Sequence, residues 1–430
     1  MKKRIVNLFF TNDELWKNIL KIFSSSALTS LITIALSPLV SRIYTTNAFG
    51  IYAIIFATAS ILSELVTLKY ERAILLPEKN EDAISVFWLS TILALLFSIG
   101  LYIPIYFFEE TILNFHNVEK SLLIYLLPII SFVLASNVCI VNLIIKLKYY
   151  NLMTSNRIYI SILLNGLIIL LGYLKFEEFG LIISYTLSNL FSSVLLIIGI
   201  YKKHQIFTFK LNQLKYWAKR YLNFPKFYIP SVAVESFAFN LPNFVFMRII
   251  GASFLGNYNM SNRIVSTPMS LIGNAIRTVF NQTIAEAYAA KKTHLKIFKE
   301  NFYRLLFIAI IPVTIIFIWG PQLFSFVFGN NWYDAGIIAR YLAPVFLFRF
   351  VTSPLSSVLT IYEKLNIDLM IQIFTTLSLA ISFYTLWKLG YNTYPFYLIA
   401  YNIIYCTKYI IEFFFSYKLI VNFEKTILKN

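Results

Sequence analysis

The sequence predicts an all-α polytopic membrane protein of about twelve transmembrane helices in two six-helix lobes. Of its 430 residues, 58% are hydrophobic and 13% charged, against roughly 25% charged in an ordinary soluble domain. Apolar runs of about twenty residues, the length that spans a hydrocarbon core, recur from end to end, and the mean hydropathy is +0.70. The runs are continuous rather than alternating with period two, which excludes a membrane β-barrel.

The first run, 19–43, is too long for the core of a cleavable signal, contains Pro38 and lacks a small-residue cleavage site, so it is expected to remain in the membrane. Its polar line Ser26, Ser30, Thr33, Ser37 and Ser41 ends beside Arg42. Such a line serves either helix packing or a binding surface. The second run, 47–69, begins a face on which Ser60, Glu64, Thr67 and Glu71 recur at helical spacing. Runs at 83–108, 121–146, 157–174 and 179–200 complete a first lobe over residues 1–200. The basic, aromatic stretch 201–225 is expected to be a cytoplasmic linker, with an interfacial helix laying Tyr216, Trp217 and Tyr221 on anionic headgroups.

The second lobe, 226–430, starts with a run at 227–250 that carries Glu235, Asn240, Pro242 and Asn243, with a kink expected at the proline. The run at 255–284 is the most unusual. Arg263, Thr267, Ser270, Asn274, Arg277 and Asn281 share one helical face there. An uncompensated arginine at the bilayer centre costs roughly 2.5–3.5 kcal/mol, so the stripe is expected to face water or a polar ligand. The two arginines lie about 21 Å apart along the axis, so each can also sit near one membrane surface. Runs at 301–319, 335–361, 366–388 and 395–420 close the lobe. Arg349 heads a line with Ser353, Ser356 and Thr360 between Pro344 and Pro354, and is a candidate for the same cavity. Lys408 and Glu412 are four residues apart, so mutual neutralisation accounts for them.

An internal repeat relates the halves. At an offset of 206 residues Arg42 falls over Arg248, Gly50 over Gly256, Tyr52 over Tyr258 and Ser60 over Ser266. Six helices per half give both copies the same membrane orientation, related by a pseudo-two-fold axis along the membrane normal. The same offset sets Glu64 over Ser270 and Glu71 over Arg277, so the cavity is expected to be acidic on one side and basic on the other. Arg42 and Arg248 lie at helix ends and can instead snorkel outward.

The formal charge of +17 is not gathered into one basic domain, which argues against nucleic acid as a partner. Lysines and arginines alternate by loop, dense at Lys2–Arg4 and Lys17, at Lys69, Arg72 and Lys79, at Lys146, Lys148 and Arg157, along the linker, and at Lys291–Arg304. The positive-inside rule therefore predicts both termini in the cytoplasm. Cys139 and Cys406 fall within apolar runs and are expected to be core residues. His116, His204 and His294 fall in predicted loops, far apart, and are expected to be solvated rather than a metal or catalytic group. No GxxxxGK[ST] phosphate loop is present. Neither catalysis nor a cofactor is expected.

The stretches Arg42 to Tyr52 (RIYTTNAFGIY), Lys69 to Pro77 (KYERAILLP), Leu255 to Tyr258 (LGNY), Phe328 to Gly336 (FGNNWYDAG) and Ser353 to Ser357 (SPLSS) resemble, in order and spacing, the polysaccharide-repeat (O-antigen and capsule) flippases of the multidrug/oligosaccharidyl-lipid/polysaccharide exporter superfamily. The resemblance implies two six-helix lobes facing a V-shaped cavity. It also implies a substrate, an undecaprenyl-pyrophosphate-linked oligosaccharide moved from the cytoplasmic to the outer leaflet of the bacterial inner membrane. Surface polysaccharide biosynthesis would be the setting, with a polymerase and chain-length proteins as further partners. A cationic cavity of this family would place Arg42, Arg248, Arg263 and Arg277 near the substrate, while Glu64 and Glu235 are candidates for ion coupling. Two alternatives stand beside it: a drug/cation antiporter of the same superfamily, which would want an acidic cavity, and a membrane polysaccharide polymerase or ligase, which would want a large outer loop.

Overall fold

The computed structural model of the chain describes residues 13–119, 121–202 and 211–429, and every regular element among them is helical. His204 and the basic residues Lys2, Lys3, Arg4, Lys120, Lys203 and Lys210 lie outside the described residues. Among the described residues twelve helices have 20 residues or more: α1 (Asp13–Ile43), α2 (Thr46–Val66), α3 (Asn80–Gly100), α4 (Leu127–Lys146), α5 (Tyr150–Tyr173), α6 (Glu177–Tyr201), α7 (Ile229–Ile249), α8 (Ala252–Ala289), α9 (Leu295–Phe328), α10 (Tyr333–Thr352), α11 (Leu365–Lys388) and α12 (Tyr394–Lys429). Among the described residues ten helices are long and apolar enough to cross a membrane. The remaining two long helices, α7 and α8, are kept below that measure by their polarity.

The chain forms two compact units, Met1–Ala252 and Ser253–Asn430. The helix α7, which follows the linker, packs in the first unit, where Asn240 reaches Ser60 of α2 at 3.5 Å. Part of the α1 polar line is a packing seam. Arg157 of α5 donates to Ser26 at 2.6 Å and Ser161 to the Thr29 carbonyl at 3.4 Å. Between α1 and α2 the Tyr44 hydroxyl donates to the Ile168 carbonyl at 2.7 Å, and Thr45 caps α2 by accepting from the Ala48 amide at 3.1 Å. Gly50 lets α2 touch backbone: a Cβ there would lie 1.8 Å from the Ala252 carbonyl oxygen.

The turn after α2 is left-handed at two consecutive non-glycine residues, Leu68 (φ 50°) and Lys69 (φ 63°), before a 3-10 turn over Tyr70–Leu75. Such conformations persist only where their surroundings fix them. Here Asn142 of α4 donates to the Glu71 carbonyl at 2.9 Å, and Lys146 donates to the Pro77 carbonyl. The linker forms a helix over Leu211–Arg220 that docks on this turn. Tyr70 donates to the Ala218 carbonyl at 2.8 Å. Trp217, expected on lipid headgroups, is instead buried with Leu214 in a core shared with Tyr70, Phe87 and Leu143, and Tyr221 stacks on it at 5.5 Å. A helix with one apolar face satisfies that face on protein first, leaving its basic side outward.

In the second unit α9 and α10 meet at glycines. A Cβ on Gly336 would lie 2.4 Å from the Gly320 carbonyl oxygen. Phe280 and Ile284 of α8, Phe298 and Leu305 of α9, Phe350 of α10 and Ile420 of α12 form the core beneath.

Two histidines depart from the sequence expectation. His116 is buried, with Nε2 2.6 Å from the Thr58 hydroxyl and Nδ1 2.8 Å from the Ile112 carbonyl. His294 is fully buried, with Nε2 2.6 Å from the Tyr362 hydroxyl. His116 ends a short helix over Glu109–His116 and meets α2 at mid-length, while His294 directly precedes α9, and at both hydrogen bonds to protein replace those to water. Cys139 and Cys406 are both free thiols.

Candidate functional site

The helix α8 buries Leu255, Tyr258, Val265, Phe280 and Ile284 on one side, and its polar stripe occupies the other. Part of that stripe opens on a pocket of about 280 Å³ that lies wholly within the second unit. α8 contributes Ser266, Met269, Ser270, Gly273, Asn274 and Arg277. Facing them are Phe346, Arg349 and Phe350 of α10, with Ser353 and Pro354 where that helix unwinds. Phe346 and Phe350 are four residues apart and share one side of α10, with Arg349 one turn on from Phe346.

The electrostatics are one-sided. Among the described residues two guanidinium groups line the pocket and no carboxylate does. Arg277 and Arg349 are both exposed, and neither is ion-paired to a carboxylate among the described residues. The Ser266 hydroxyl is buried at the pocket wall without a hydrogen-bond partner. Ser270, by contrast, donates to the Thr267 carbonyl at 2.8 Å, leaving its oxygen lone pairs outward. Guanidinium donors, an amide and hydroxyls around an apolar floor suit a phosphate or carboxylate attached to a larger, partly polar body.

Other residues of the predicted stripe lie outside the pocket lining. Thr267 donates to the Arg263 carbonyl at 2.6 Å, one turn back on α8, and Arg263 is half-buried with contacts of its own. Asn281 accepts a hydrogen bond from Ser357, tying α8 to the segment that follows α10. That bond makes Asn281 a brace between the two segments rather than a pocket residue.

The acidic face of the first unit is a clasp. The Lys69 ammonium, 1% exposed, bonds to Glu64 and lies 3.3 Å from the Glu71 carboxylate. The left-handed turn carries this lysine inward, where sequence spacing alone places it in a solvated loop. Along α7, Asn243 donates to Asn240 at 3.3 Å, and Asn240 in turn meets Ser60. Glu235, on the same helix, is exposed and without an ion pair among the described residues. Arg248, at the end of α7, donates to the Asn114 carbonyl at 2.6 Å. Arg42 is exposed at the end of α1. Lys408 and Glu412 pair at 3.6 Å, as their spacing predicts.

What sequence spacing missed are the apolar walls, Met269, Phe346 and Phe350, together with Ser266. Phenylalanine inside an apolar run carries no signal that separates a pocket wall from a lipid-facing or core residue. Ser266 does appear in the repeat alignment, opposite Ser60.

A family model described as polysaccharide biosynthesis protein matches residues 22–336. The chain is 24% identical over 287 residues to the teichuronic acid biosynthesis protein TuaB of Bacillus subtilis (strain 168), covering 64% of this chain and 56% of that one. It is 27% identical over 145 residues to the lipopolysaccharide biosynthesis protein WzxC of Escherichia coli (strain K12), covering 32% of this chain and 28% of that one. The match thus spans little more than half of the first relative and less than a third of the second. Among solved structures, an inward-facing multidrug resistance transporter of the MATE family, MOP superfamily, superposes with a TM-score of 0.70 at 17% identity, over 95% of this chain and 99% of that one. The lipid II flippase MurJ in an inward closed conformation gives 0.68 at 16% identity, over 95% and 90%. These structural likenesses establish the fold.

Proposed function

We propose a function from the premise that the chain belongs to the polysaccharide biosynthesis protein family, over residues 22–336, and has the fold of the MOP-superfamily transporters. The protein is a flippase. It moves a polyprenyl-pyrophosphate-linked oligosaccharide, undecaprenyl in the bacterial carrier, from the cytoplasmic to the outer leaflet by alternating access, with both termini in the cytoplasm and a polymerase and chain-length proteins downstream. The observation that carries this reading is the pairing of Arg277 with Arg349 across a pocket that no carboxylate lines.

The planar guanidinium fork donates parallel hydrogen bonds to phosphate oxygens, and Asn274, Ser266, Ser270 and Ser353 can bond the first sugar hydroxyls. Arg42, Arg248, Arg263, Thr267, Asn240, Asn243 and Asn281 are assigned to the wider path or its bracing rather than to the head-binding pocket. An inside-negative potential favours outward movement of an anion by about 2.3 kcal/mol per charge per 100 mV. If proton or sodium influx adds to that drive, Glu235 is the more available coupling carboxylate, since Glu64 is engaged by Lys69.

A cation antiporter would require an acidic pocket, and the arginines favour the flippase over it. The test is charge reversal. Arg277→Glu and Arg349→Glu are expected to abolish surface polysaccharide at normal membrane abundance, with the lipid-linked unit accumulating in the inner leaflet. Normal glycan output from both variants, or accumulation of unpolymerised units outside, would overturn the proposal.

A further inference from the structure

We propose that the outward face of the linker helix is a binding surface for anionic phospholipid headgroups, and that it is presented rigidly because the opposite face of the helix is docked on the first unit. The inward side consists of Leu214, Trp217 and Ala218, at helical spacing i, i+3 and i+4. Leu214 and Trp217 are each 9% exposed, and the backbone at Ala218 is fixed by the Tyr70 hydroxyl at 2.8 Å. Ser85 of α3 reaches Gln213 at 3.3 Å and adds a second fixing point.

That docking determines what is left outside. Lys215, Lys219, Arg220 and, beyond the helix, Lys226 are all exposed. No aspartate or glutamate occurs between Glu178 and Glu235, so nothing in the segment neutralises them. The Arg220 guanidinium is held 6.0 Å from the ring centroids of both Trp217 and Tyr221, which orders its otherwise mobile side chain. Interleaved with these charges are exposed Tyr216, Leu222, Phe227 and Tyr228.

Charge complementarity leaves two classes of partner, an acidic protein or an anionic membrane surface. Two features favour the membrane. Both ends of the linker are continuous with long helices, α6 ending at Tyr201 and α7 beginning at Ile229, so the segment starts and finishes at the membrane surface. The exposed aromatic and leucine side chains suit the boundary between headgroups and acyl chains, where an acidic protein would leave them in water. The surface is expected to prefer phosphatidylglycerol-type headgroups over zwitterionic ones and to lose that preference at high salt.

The inference does not rest on the transport function, and its test uses no glycolipid. The full chain is placed in phosphatidylcholine nanodiscs to which phosphatidylglycerol is added, and its melting temperature and bound-lipid count by native mass spectrometry are followed at low and high salt. Wild type is expected to retain phosphatidylglycerol selectively and to melt higher at low salt. Each basic residue contributes about five-fold in lipid affinity, so K215Q/K219Q/R220Q/K226Q is expected to lose the retention and the shift while melting normally in pure phosphatidylcholine. Should that variant not fold, the K215Q/K219Q pair is expected to lose part of both. Equal retention of both lipids by wild type, or unchanged retention by the variants, overturns the proposal. A shift caused by a soluble acidic polypeptide in pure phosphatidylcholine, with none from phosphatidylglycerol, assigns the surface to a protein partner and overturns it too.

Discussion

Arg277 on α8 and Arg349 on α10 line one pocket of about 280 Å³ within the second unit, and neither is ion-paired to a carboxylate among the described residues. Their helices are brought face to face from positions 72 residues apart in the chain. Two like charges on one pocket disfavour each other, and an anion bound there relieves that.

Neutral replacements should therefore weaken binding without unfolding the protein. A hydrogen bond to a charged group contributes about 1.5–3 kcal/mol, so Arg277→Gln or Arg349→Gln is expected to lower affinity for a polyprenyl pyrophosphate by roughly 10- to 150-fold. Scintillation proximity with purified protein measures it. Because both residues are exposed, melting temperature should stay close to wild type.

The Lys69 clasp should be structural. Lys69→Met leaves Glu71 buried beside an apolar side chain, and breaking a buried pair from one side costs about 3–5 kcal/mol. Adding Glu71→Gln removes the stranded charge and is expected to recover part of the loss. Thermal unfolding in detergent of the single and double variants checks the ordering; a double variant less stable than Lys69→Met would contradict it.

Glycine at the α9–α10 contact should be intolerant of a methyl group. Gly336→Ala places Cβ 2.4 Å from a backbone carbonyl oxygen that cannot move aside cheaply, whereas nothing lies within 4 Å of a Cβ at Gly166. Overpacking typically costs about 1–3 kcal/mol. Gly336→Ala is expected to lower the melting temperature, and Gly166→Ala to leave it unchanged or raise it slightly.

His116 should make stability fall with acid. Burial pushes its imidazole below the usual histidine value, against a smaller opposing effect from the Ile112 carbonyl. The unfolded chain, titrating near pH 6.5, then binds more protons than the folded one. The penalty begins as pH drops through about 6.5 and grows until the folded value is reached, so stability rises with pH across that window. His116→Asn should flatten the acid limb, read as melting temperature against pH.

Much of the fold is legible in the sequence because apolar length and helical period are local properties. Arg277 and Asn274 can be placed on one face of α8 from spacing alone, and Arg349 is marked by Ser353 four residues on and by its flanking prolines. Their meeting across one pocket depends on how α8 and α10 pack, which no period encodes. The clasp is hidden for a different reason: its geometry needs two left-handed residues, and Leu68-Lys69 contains no glycine to announce them. His116 and His294 are hidden because burial of a connecting segment is decided by what folds over it. The repeat sets Ser60 and Glu64 of α2 over Ser266 and Ser270 of α8, whereas Thr67 and Glu71 fall beyond the end of α2, Glu71 in the 3-10 turn. The first-unit side, however, is balanced internally by a lysine that the alignment leaves out.

The glycine contact between α9 and α10 has a mechanical consequence. Backbones that touch cannot slide or rotate independently, so the two helices behave as one strut. With 34 residues α9 is about 51 Å long, well beyond a hydrocarbon core of about 30 Å. Near its start the same helix packs through Phe298 and Leu305 on Phe280 and Ile284 of α8, so a tilt of α9 is expected to reach both helices that carry the pocket arginines.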